Sequence, residues 1–294
     1  RILCAMVNRT PRALLLLAYG FVVFWVVIAT LPFFWTLLGS FRVAPDFFSL
    51  DWLTVVTGEF TKKNTGGVLT TANYHRVWVE EQFWRNAMNT VVVTVSVVVI
   101  SLTFGVMGGY ALARSRARYA FWVLIGALIF RAMPHIALIA GYLYPFFQLG
   151  IWGYLPTTII VLVAINQPFT IWMMRSFFLN VPTELDESAL VDGSTRIQAF
   201  WHVIMPVMWP GVITTGLFSF LLAYNDFTVT VSLLTSENFT MVPKLNSFLG
   251  TNMYEGPRMN AIAAVVSTTA PLFLLVMFFQ RQLVSGLTQG AVKG

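Results

Sequence analysis

Long apolar runs separated by short polar segments dominate the chain. A helix that crosses a membrane needs about 20 mostly apolar residues. Six segments qualify, at roughly 14–38, 90–112, 120–144, 155–174, 207–234 and 260–280. The first run exceeds the core of a cleavable signal peptide, about 7–15 residues, so we expect it to be retained. The pattern predicts an all-α integral membrane protein, a single transmembrane domain over 1–294 with six transmembrane helices.

Composition supports the membrane class. Hydrophobic residues make up 57% of the chain and charged residues only 10%, whereas about a quarter of a soluble domain is charged. The formal net charge is +6. A nucleic-acid binder gathers its Lys and Arg on one face or arm, but here they lie mostly at the ends of apolar runs. We therefore expect membrane lipid and no nucleic acid as a partner.

Basic residues in short flanking segments predict the orientation of the helices. They lie before the first span, between the second and third, between the fourth and fifth, and after the sixth: Arg1, Arg9, Arg12, Arg114, Arg116, Arg118, Arg175, Arg196, Arg281 and Lys293. With six crossings these places share one side, which must be the cytoplasm. Both termini and the loop 175–206 are predicted to be cytoplasmic, and the loops 40–88 and 235–259 extracytoplasmic.

Residues able to support chemistry are sparse. The single cysteine, Cys4, excludes an internal disulfide and leaves no metal-ligand cluster. The three histidines, His75, His135 and His202, lie far apart in the sequence. We expect no catalytic residue, metal or cofactor in this chain, which makes a membrane enzyme a distant possibility.

The loop 175–206 predicts two short helices. Thr183 is a suitable N-cap for the first, whose opening turn is acidic. Gly193 supplies a left-handed stop. Either Ser194 or Thr195 caps the second helix, Thr195 as a capping box with Gln198.

An apolar stripe is predicted on the second of these helices. Ile197, Phe200, Trp201 and Ile204 fall at i, i+3, i+4 and i+7. Such a stripe needs a surface to pack on. The spacing leaves two interpretations open, a connector lying on the protein's own helix ends or a docking element for a partner.

The same loop resembles the EAA loop of binding-protein-dependent ABC transporter permeases. That pattern has E-A-A, two residues, D-G-A, then a Phe and a Leu-Pro pair. The matching residues are Glu187, Ala189, Asp192, Gly193, Phe200 and Pro206. Three positions depart mildly from the pattern: Ser188, Ser194 and Met205.

Other segments resemble the carbohydrate branch of this family, related to the second maltose-type permease subunit. The pairs 73–74 (Asn-Tyr) and 89–90 (Asn-Thr) resemble its approach to the second span. The segment 223–227, Ala-Tyr-Asn-Asp-Phe, resembles the W-N-D/E-F stretch, with Tyr224 in place of Trp. The ending 286–294 is also similar. The resemblance covers essentially the whole chain.

The resemblance implies a mechanism and a set of partners. The loop would be a coupling helix in a cleft of an ATPase subunit, and ATP-driven closure of two ATPases would switch the spans from inward-facing to outward-facing. The implied complex contains a second permease subunit, as a heterodimer, two ATPases carrying ATP and Mg, and an extracytoplasmic solute-binding protein. It would import a carbohydrate across the bacterial inner membrane.

Two further segments have implied contacts and simpler alternatives. The loop 235–259 resembles one that reaches into the binding protein, or it is a solvated connector. The tail 286–294 resembles one that reaches the ATPase interface, or it is a frayed end.

The energy source must lie on another subunit. A P-loop needs glycine-rich backbone amides followed by Lys and then Ser or Thr. None of the chain's lysines is followed by a hydroxyl residue: Lys62, Lys63, Lys244 and Lys293. A self-sufficient secondary transporter is the alternative class, but it would show internal repeats and paired broken helices, and the sequence shows neither.

Ionisable residues at membrane depth cost ~2.5–3.5 kcal/mol on insertion scales and suggest function. Arg131 lies ~17 Å into the third span at 1.5 Å per residue. Pro134 and His135 follow it, and a proline here is predicted to loosen the helix and free backbone carbonyls. Asn225 and Asp226 lie in the outer half of the fifth span.

These polar groups have three interpretations. In the first interpretation, Arg131 and Asp226 are structural groups that face the helix bundle, either paired with each other or separately. Alternatively, Arg131, His135, Asn225 and Asp226 line the solute path, where sugar hydroxyls need donors and acceptors. A third interpretation pairs Arg131 with an anionic group on the solute, such as a sulfonated, phosphorylated or acidic sugar.

Overall fold

A computed structural model of the chain describes residues 12–49, 51–115, 117–250 and 255–289. Within these ranges every regular element is helical, and an isolated bridge pairs Gly153 with Leu234. The all-α membrane fold is confirmed. Cys4, Arg116 and the last five residues of the tail lie outside the described residues.

The helices come in the following order. The N-terminal part contains α1 (Arg12–Ser40), α2 (Ala44–Phe47), α3 (Trp52–Thr57), α4 (Glu59–Thr65), α5 (Ala72–His75) and a π-helical turn, Arg76–Glu80. The middle contains α6 (Phe83–Arg114), α7 (Arg118–Ala132), α8 (His135–Gln148), α9 (Leu155–Phe178), α10 (Glu184–Val191), α11 (Arg196–Ala199) and a second π-helical turn, Phe200–Ile204. The remainder contains α12 (Met205–Tyr224), α13 (Thr228–Leu233), α14 (Met241–Gly250) and α15 (Glu255–Gln289).

Five helices of the described residues are long and apolar enough to cross a membrane. They coincide with the predicted first, second, fourth, fifth and sixth spans: Arg12–Ser40, Phe83–Arg114, Leu155–Phe178, Arg196–Tyr224 and Arg258–Gln282. The predicted fifth span, 207–234, is interrupted after Tyr224, where α12 ends.

The predicted third span is divided between two helices. α7 has 15 residues and α8 has 14, and Pro134 stands at the N-cap of α8. Each is roughly 22 Å long at 1.5 Å per residue, shorter than the ~30 Å hydrocarbon core. The predicted loosening at Pro134 is confirmed as a full break. The count of six spans stays a prediction.

The described residues form two compact units. One comes from Arg1–Glu81 with Thr251–Ser267, and the other from Gln82–Gly250 with Thr268–Gly294. Most of the loop predicted at 40–88 belongs to the first unit, which extends to Glu81, and forms short helices there.

Arg42 organises the first unit from its centre. Its side chain is 1% exposed. Nε donates to the carbonyl of Val55 at 2.8 Å, and Nη2 to that of Val56 at 2.5 Å, while Nη1 donates to the carbonyl of Val68. These bonds fix α3 and the following segment around one guanidinium, because buried carbonyls without partners are costly.

A second set of buried polar contacts joins α2 to α4, and α5 to the end of α1. The buried Asp46 carboxylate accepts the backbone N–H groups of Phe60 at 3.0 Å and Thr61 at 2.7 Å. Asn73 Nδ2 donates to the carbonyls of Ser40 at 3.0 Å and Arg42 at 2.8 Å. Buried polar contacts therefore help to hold the short helices of this unit together.

Helix α6 packs closely against α9 in the second unit. A Cβ on Gly105 would lie 2.4 Å from Thr170 Cγ2, and one on Gly109 would lie 2.6 Å from Met174 Cβ. Small residues allow helix backbones to approach in this way in membranes. Buried Asn166 donates to Ser219 Oγ at 2.8 Å and links α9 to α12.

Candidate functional site

Helix α10 begins the loop that resembles the EAA loop. Its first turn carries the predicted acidic residues Glu184, Asp186 and Glu187. The predicted cap is wrong: Thr183 precedes the helix, but its side chain accepts no capping hydrogen bond. A capping residue has an extended backbone, whereas Thr183 is already helical at φ −67° and ψ −23°.

The turn after α10 follows the prediction. Gly193 has a φ of +86°, the left-handed conformation that glycine adopts without strain. The Ser194 N–H donates to the Ala189 carbonyl at 3.0 Å, and the Gly193 N–H to the Leu190 carbonyl at 3.1 Å. These two bonds form a Schellman motif, so the predicted stop is confirmed.

The second helix of the loop is shorter and less regular than predicted. The capping box of Thr195 and Gln198 is confirmed, with both reciprocal bonds present. Helix α11 has only four residues before the π-helical turn Phe200–Ile204 begins.

The prediction of a single apolar stripe is wrong. Phe200 and Ile204 are 8% and 0% exposed, whereas Ile197 and Trp201 are 72% and 57% exposed. A π-helical turn has i→i+5 hydrogen bonds, so the spacing of an α-helix does not carry across it. Half of the expected stripe packs inside the protein and half is exposed.

The six residues that match the EAA pattern also include both buried and exposed side chains. Ala189 and Phe200 are buried. Glu187, Asp192, Gly193 and Pro206 are exposed. Close to them in sequence are further exposed apolar side chains: Leu190, Val191, Ile197 and Trp201. The loop therefore offers both carboxylates and apolar groups to its surroundings.

An ion pair ties α10 to the end of α6. Arg114 Nε donates to Asp186 Oδ2 at 2.8 Å, and Nη2 lies 2.7 Å from the same oxygen. Tyr110 OH donates to Asp186 Oδ1. The Arg114 and Asp186 side chains are 17% and 16% exposed, so water screens the pair only weakly.

Arg114 also reaches the end of α9. Its Nη1 donates to the carbonyl of Phe178 at 3.2 Å and to that of Val181 at 3.1 Å. Tyr110, Arg114, Asp186 and these two carbonyls are called the Arg114 cluster below. The sequence interpretation used Arg114 only for orientation and Asp186 only for the helix start. Their opposite charges, at the end of the second span and in the loop 175–206, were the available signal.

Arg131 has an aromatic neighbour and an unmatched donor. Its guanidinium carbon lies 4.4 Å from the ring centroid of Phe169, a cation–π contact. Nη1 is buried and has no hydrogen-bond partner among the described residues. The ion pairs of these residues do not include one between Arg131 and Asp226, so the structural interpretation as a direct pair is not realised.

The other predicted polar residues lie at helix ends: His135 and Asp226 at the starts of α8 and α13, and Asn225 at the end of α12. His135 begins α8 and interacts electrostatically with Asp226. Asp226 Oδ1 accepts the Thr230 N–H at 2.9 Å at the start of α13. Asn225 is exposed after α12, and its Nδ2 donates to the Leu221 carbonyl at 2.9 Å. The structure thus places His135 within electrostatic range of Asp226, without an ion pair between them among the described residues.

The beginning of α6 holds the segment before α14. Asn86 Nδ2 donates to the Phe239 carbonyl at 2.7 Å, and Asn89 Nδ2 to the Asn238 carbonyl at 3.1 Å. The Met241 N–H donates to Thr90 Oγ1 at 2.9 Å. The Asn-Thr pair at 89–90 therefore positions part of the loop 235–259. No group of three possible metal ligands forms within the described ranges.

Comparison with known proteins gives a family match. The model of the family described as "Binding-protein-dependent transport system inner membrane component" matches residues 101–289. This range includes the EAA-like loop, the divided third span and all of α15.

Individual relatives cover nearly the whole chain. The diacetylchitobiose uptake system permease protein DasC of Streptomyces coelicolor is 34% identical, over 90% of this chain and 91% of that protein. The trehalose transport system permease protein SugB of Mycobacterium tuberculosis is 29% identical, over 89% of this chain and 97% of its own length.

A solved structure shares the fold. It is a chain of a bacterial ABC transporter involved in the import of the acidic polysaccharide alginate. The TM-score is 0.74 at 20% identity, with 93% of this chain and 97% of that chain covered.

Proposed function

The chain belongs to the family of binding-protein-dependent transport system inner membrane components, and from this we propose that it moves a carbohydrate delivered by an external solute-binding protein, using separate ATPases. It is a sugar ABC importer permease subunit and a multi-pass protein of the bacterial inner membrane. It is the transport component of the importer and not itself an enzyme. ATP and Mg are assigned to the partner ATPases.

The observation that carries the proposal is the bent loop around Gly193. Ala189 and Phe200 anchor the loop in the protein, whereas Glu187 and Asp192 are exposed beside the bend. Together with Gly193 and Pro206 they form the proposed ATPase-coupling set. A rigid Schellman turn fixes the angle between α10 and α11, so a push on the exposed side chains moves the anchored residues as well.

The substrate and its delivery are proposed on separate grounds. Relatives named for diacetylchitobiose and trehalose support a carbohydrate as the solute. Asn86, Asn89 and Thr90 hold the segment before α14, which supports an ordered extracytoplasmic loop that meets the solute-binding protein.

The test is co-purification of this chain with a P-loop ATPase. Gly193→Val places a β-branched residue at a φ of +86°, where such residues are strained. The substitution should change the angle between α10 and α11 and reduce the amount of ATPase recovered with the chain. Gly150→Val is the matched control, because Gly150 also has a positive φ, +66°, and neither glycine has a neighbouring atom within 4 Å of a built Cβ.

Two outcomes contradict the proposal. One is equal recovery of the ATPase with the Gly193→Val variant and the wild type. The other is solute transport by the chain alone in vesicles without ATP, which would identify a self-sufficient secondary transporter.

A second candidate concerns the charge of the solute. Arg131, His135, Asn225 and Asp226 are proposed to line the solute path. The buried Nη1 of Arg131 has no hydrogen-bond partner among the described residues, and a buried donor without an acceptor is costly. A carboxylate, sulfonate or phosphate on the sugar would supply a charge-assisted acceptor, so an anionic carbohydrate is favoured by this one group.

A further inference from the structure

The Arg114 cluster joins three helix ends through one side chain. Arg114 is the last residue of α6, Asp186 lies in the first turn of α10, and Phe178 is the last residue of α9. Arginine presents five donors in a rigid planar fork. Here the fork divides its donors between the Asp186 carboxylate and the carbonyls of Phe178 and Val181.

We propose that Arg114 is a positioning residue that transmits movement of α10 to α6 and α9, and so couples ATP use to solute movement. This inference rests on the proposed function. A displacement of α10 changes the position of the Asp186 carboxylate, which accepts a hydrogen bond from Arg114 Nε and forms an ion pair with the guanidinium. Because the same guanidinium holds the end of α9, both transmembrane helices must follow.

The surroundings make this connection stiff. The centroid of the Tyr110 ring lies 5.4 Å from the centroid of the Phe178 ring, in an edge-on contact, and 4.8 Å from that of the Phe200 ring. Its hydroxyl donates to the second oxygen of Asp186. The carboxylate is therefore held on both oxygens, beside a buried apolar cluster that contains Phe178 and Phe200.

Other acidic residues of α10 lack these contacts. Glu184 and Glu187 are exposed, and neither takes part in an ion pair of the described residues. Exposed charges of this kind contribute little to a fixed geometry. Asp186 is thus the acidic residue of this helix that is built into the protein.

The test uses the complete reconstituted importer with its binding protein and sugar. Asp186→Asn removes the charge while keeping the size of the side chain. We expect the number of sugar molecules moved per ATP hydrolysed to fall roughly tenfold, within the usual range of coupling between sites. This ratio is informative because misfolded complexes lower transport and hydrolysis together and leave the ratio unchanged.

Glu184→Gln is the matched control, since it makes the same carboxylate-to-amide change on an exposed position of the same helix. Its ratio should equal that of the wild type. If Asp186→Asn does not assemble, Tyr110→Phe removes one hydroxyl donor, keeps the ring contacts and should also lower the ratio.

The outcomes separate this inference from the function on which it rests. A wild-type ratio in Asp186→Asn, or in Tyr110→Phe where the first variant does not assemble, overturns the role of the Arg114 cluster and leaves the importer function standing. A wild-type chain that binds no ATPase, or takes up sugar without ATP, overturns the proposed function itself.

Discussion

Two arginines with buried donor nitrogens illustrate how differently single residues are accommodated. Arg42 is 1% exposed, and each of its donor nitrogens has a backbone carbonyl as partner. Arg131 instead lies over the Phe169 ring and keeps a buried Nη1 without a hydrogen-bond partner among the described residues. Arg42 is satisfied by the fold, whereas Arg131 is left with the capacity to bind an acceptor.

The role of Arg131 can be tested with neutral and anionic sugars. In Arg131→Gln, transport of an anionic sugar should fall roughly 10- to 100-fold, because a hydrogen bond to a charged group contributes about 1.5–3 kcal/mol. Transport of a neutral sugar should change much less. Both rates are measured in proteoliposomes, with each sugar saturating the binding protein.

Arg76→Gln serves as the control, because Arg76 pairs with Glu80 at an exposed position, 3.9 Å apart. An equal loss of transport for neutral and anionic sugars in Arg131→Gln would instead identify Arg131 as a structural group of the bundle.

At the scale of elements, the contact between α6 and α9 depends on two glycines. Gly105 and Gly109 are four residues apart, so they lie on one face of α6. Gly109→Leu would drive a side chain into Met174 Cβ and the backbone nitrogen of Arg175, which a built Cβ already approaches to 2.6 and 2.9 Å. Overpacking of this kind costs about 1–3 kcal/mol, and it should appear as a lower melting temperature of the detergent-solubilised complex.

Gly126→Leu is the control for this change. Gly126 also lies inside a helix, and a built Cβ there has no neighbour within 4 Å. Equal melting temperatures for the Gly109→Leu and Gly126→Leu variants would contradict the close packing of α6 on α9.

At the scale of the whole molecule, α1 shows how far the chain depends on its surroundings. Of its 29 residues, only Gly39 and Ser40 are buried. Its apolar side chains therefore require lipid or the proposed second permease subunit, because exposing them to water would be unfavourable. This requirement agrees with membrane insertion.

The predicted orientation can be tested by labelling single cysteines. In a chain whose Cys4 is replaced by Ser, Lys63→Cys should react with an impermeant maleimide from outside intact spheroplasts. Thr183→Cys should react only in inverted vesicles, because the positively charged flanks predict that the loop 175–206 is cytoplasmic. Both positions are exposed.

Labelling of both cysteines from the same side would overturn the predicted topology and, with it, the assignment of the loop 175–206 to the ATPases. A protein without cysteine controls for unspecific labelling.

The sequence by itself determined the features that depend on neighbours in the chain. The apolar runs predicted the five long apolar helices, because hydrophobic length is a property of consecutive residues. Gly193 ends α10, and Thr195 and Gln198 cap α11, because a positive φ and a capping box involve only a few adjacent residues. Pro134 breaks the third span for the same local reason, since proline has no backbone N–H to donate.

Only the tertiary structure decided which distant groups meet. Arg114 and Asp186 are 72 positions apart, and Asn86 and Phe239 are 153 apart, so no local pattern could pair them. The apolar stripe failed because burial of Phe200 but not Trp201 depends on a π-helical turn and the helices around it. Such contacts are selected by packing and by the need to satisfy buried polar groups, which act between segments that the sequence holds far apart.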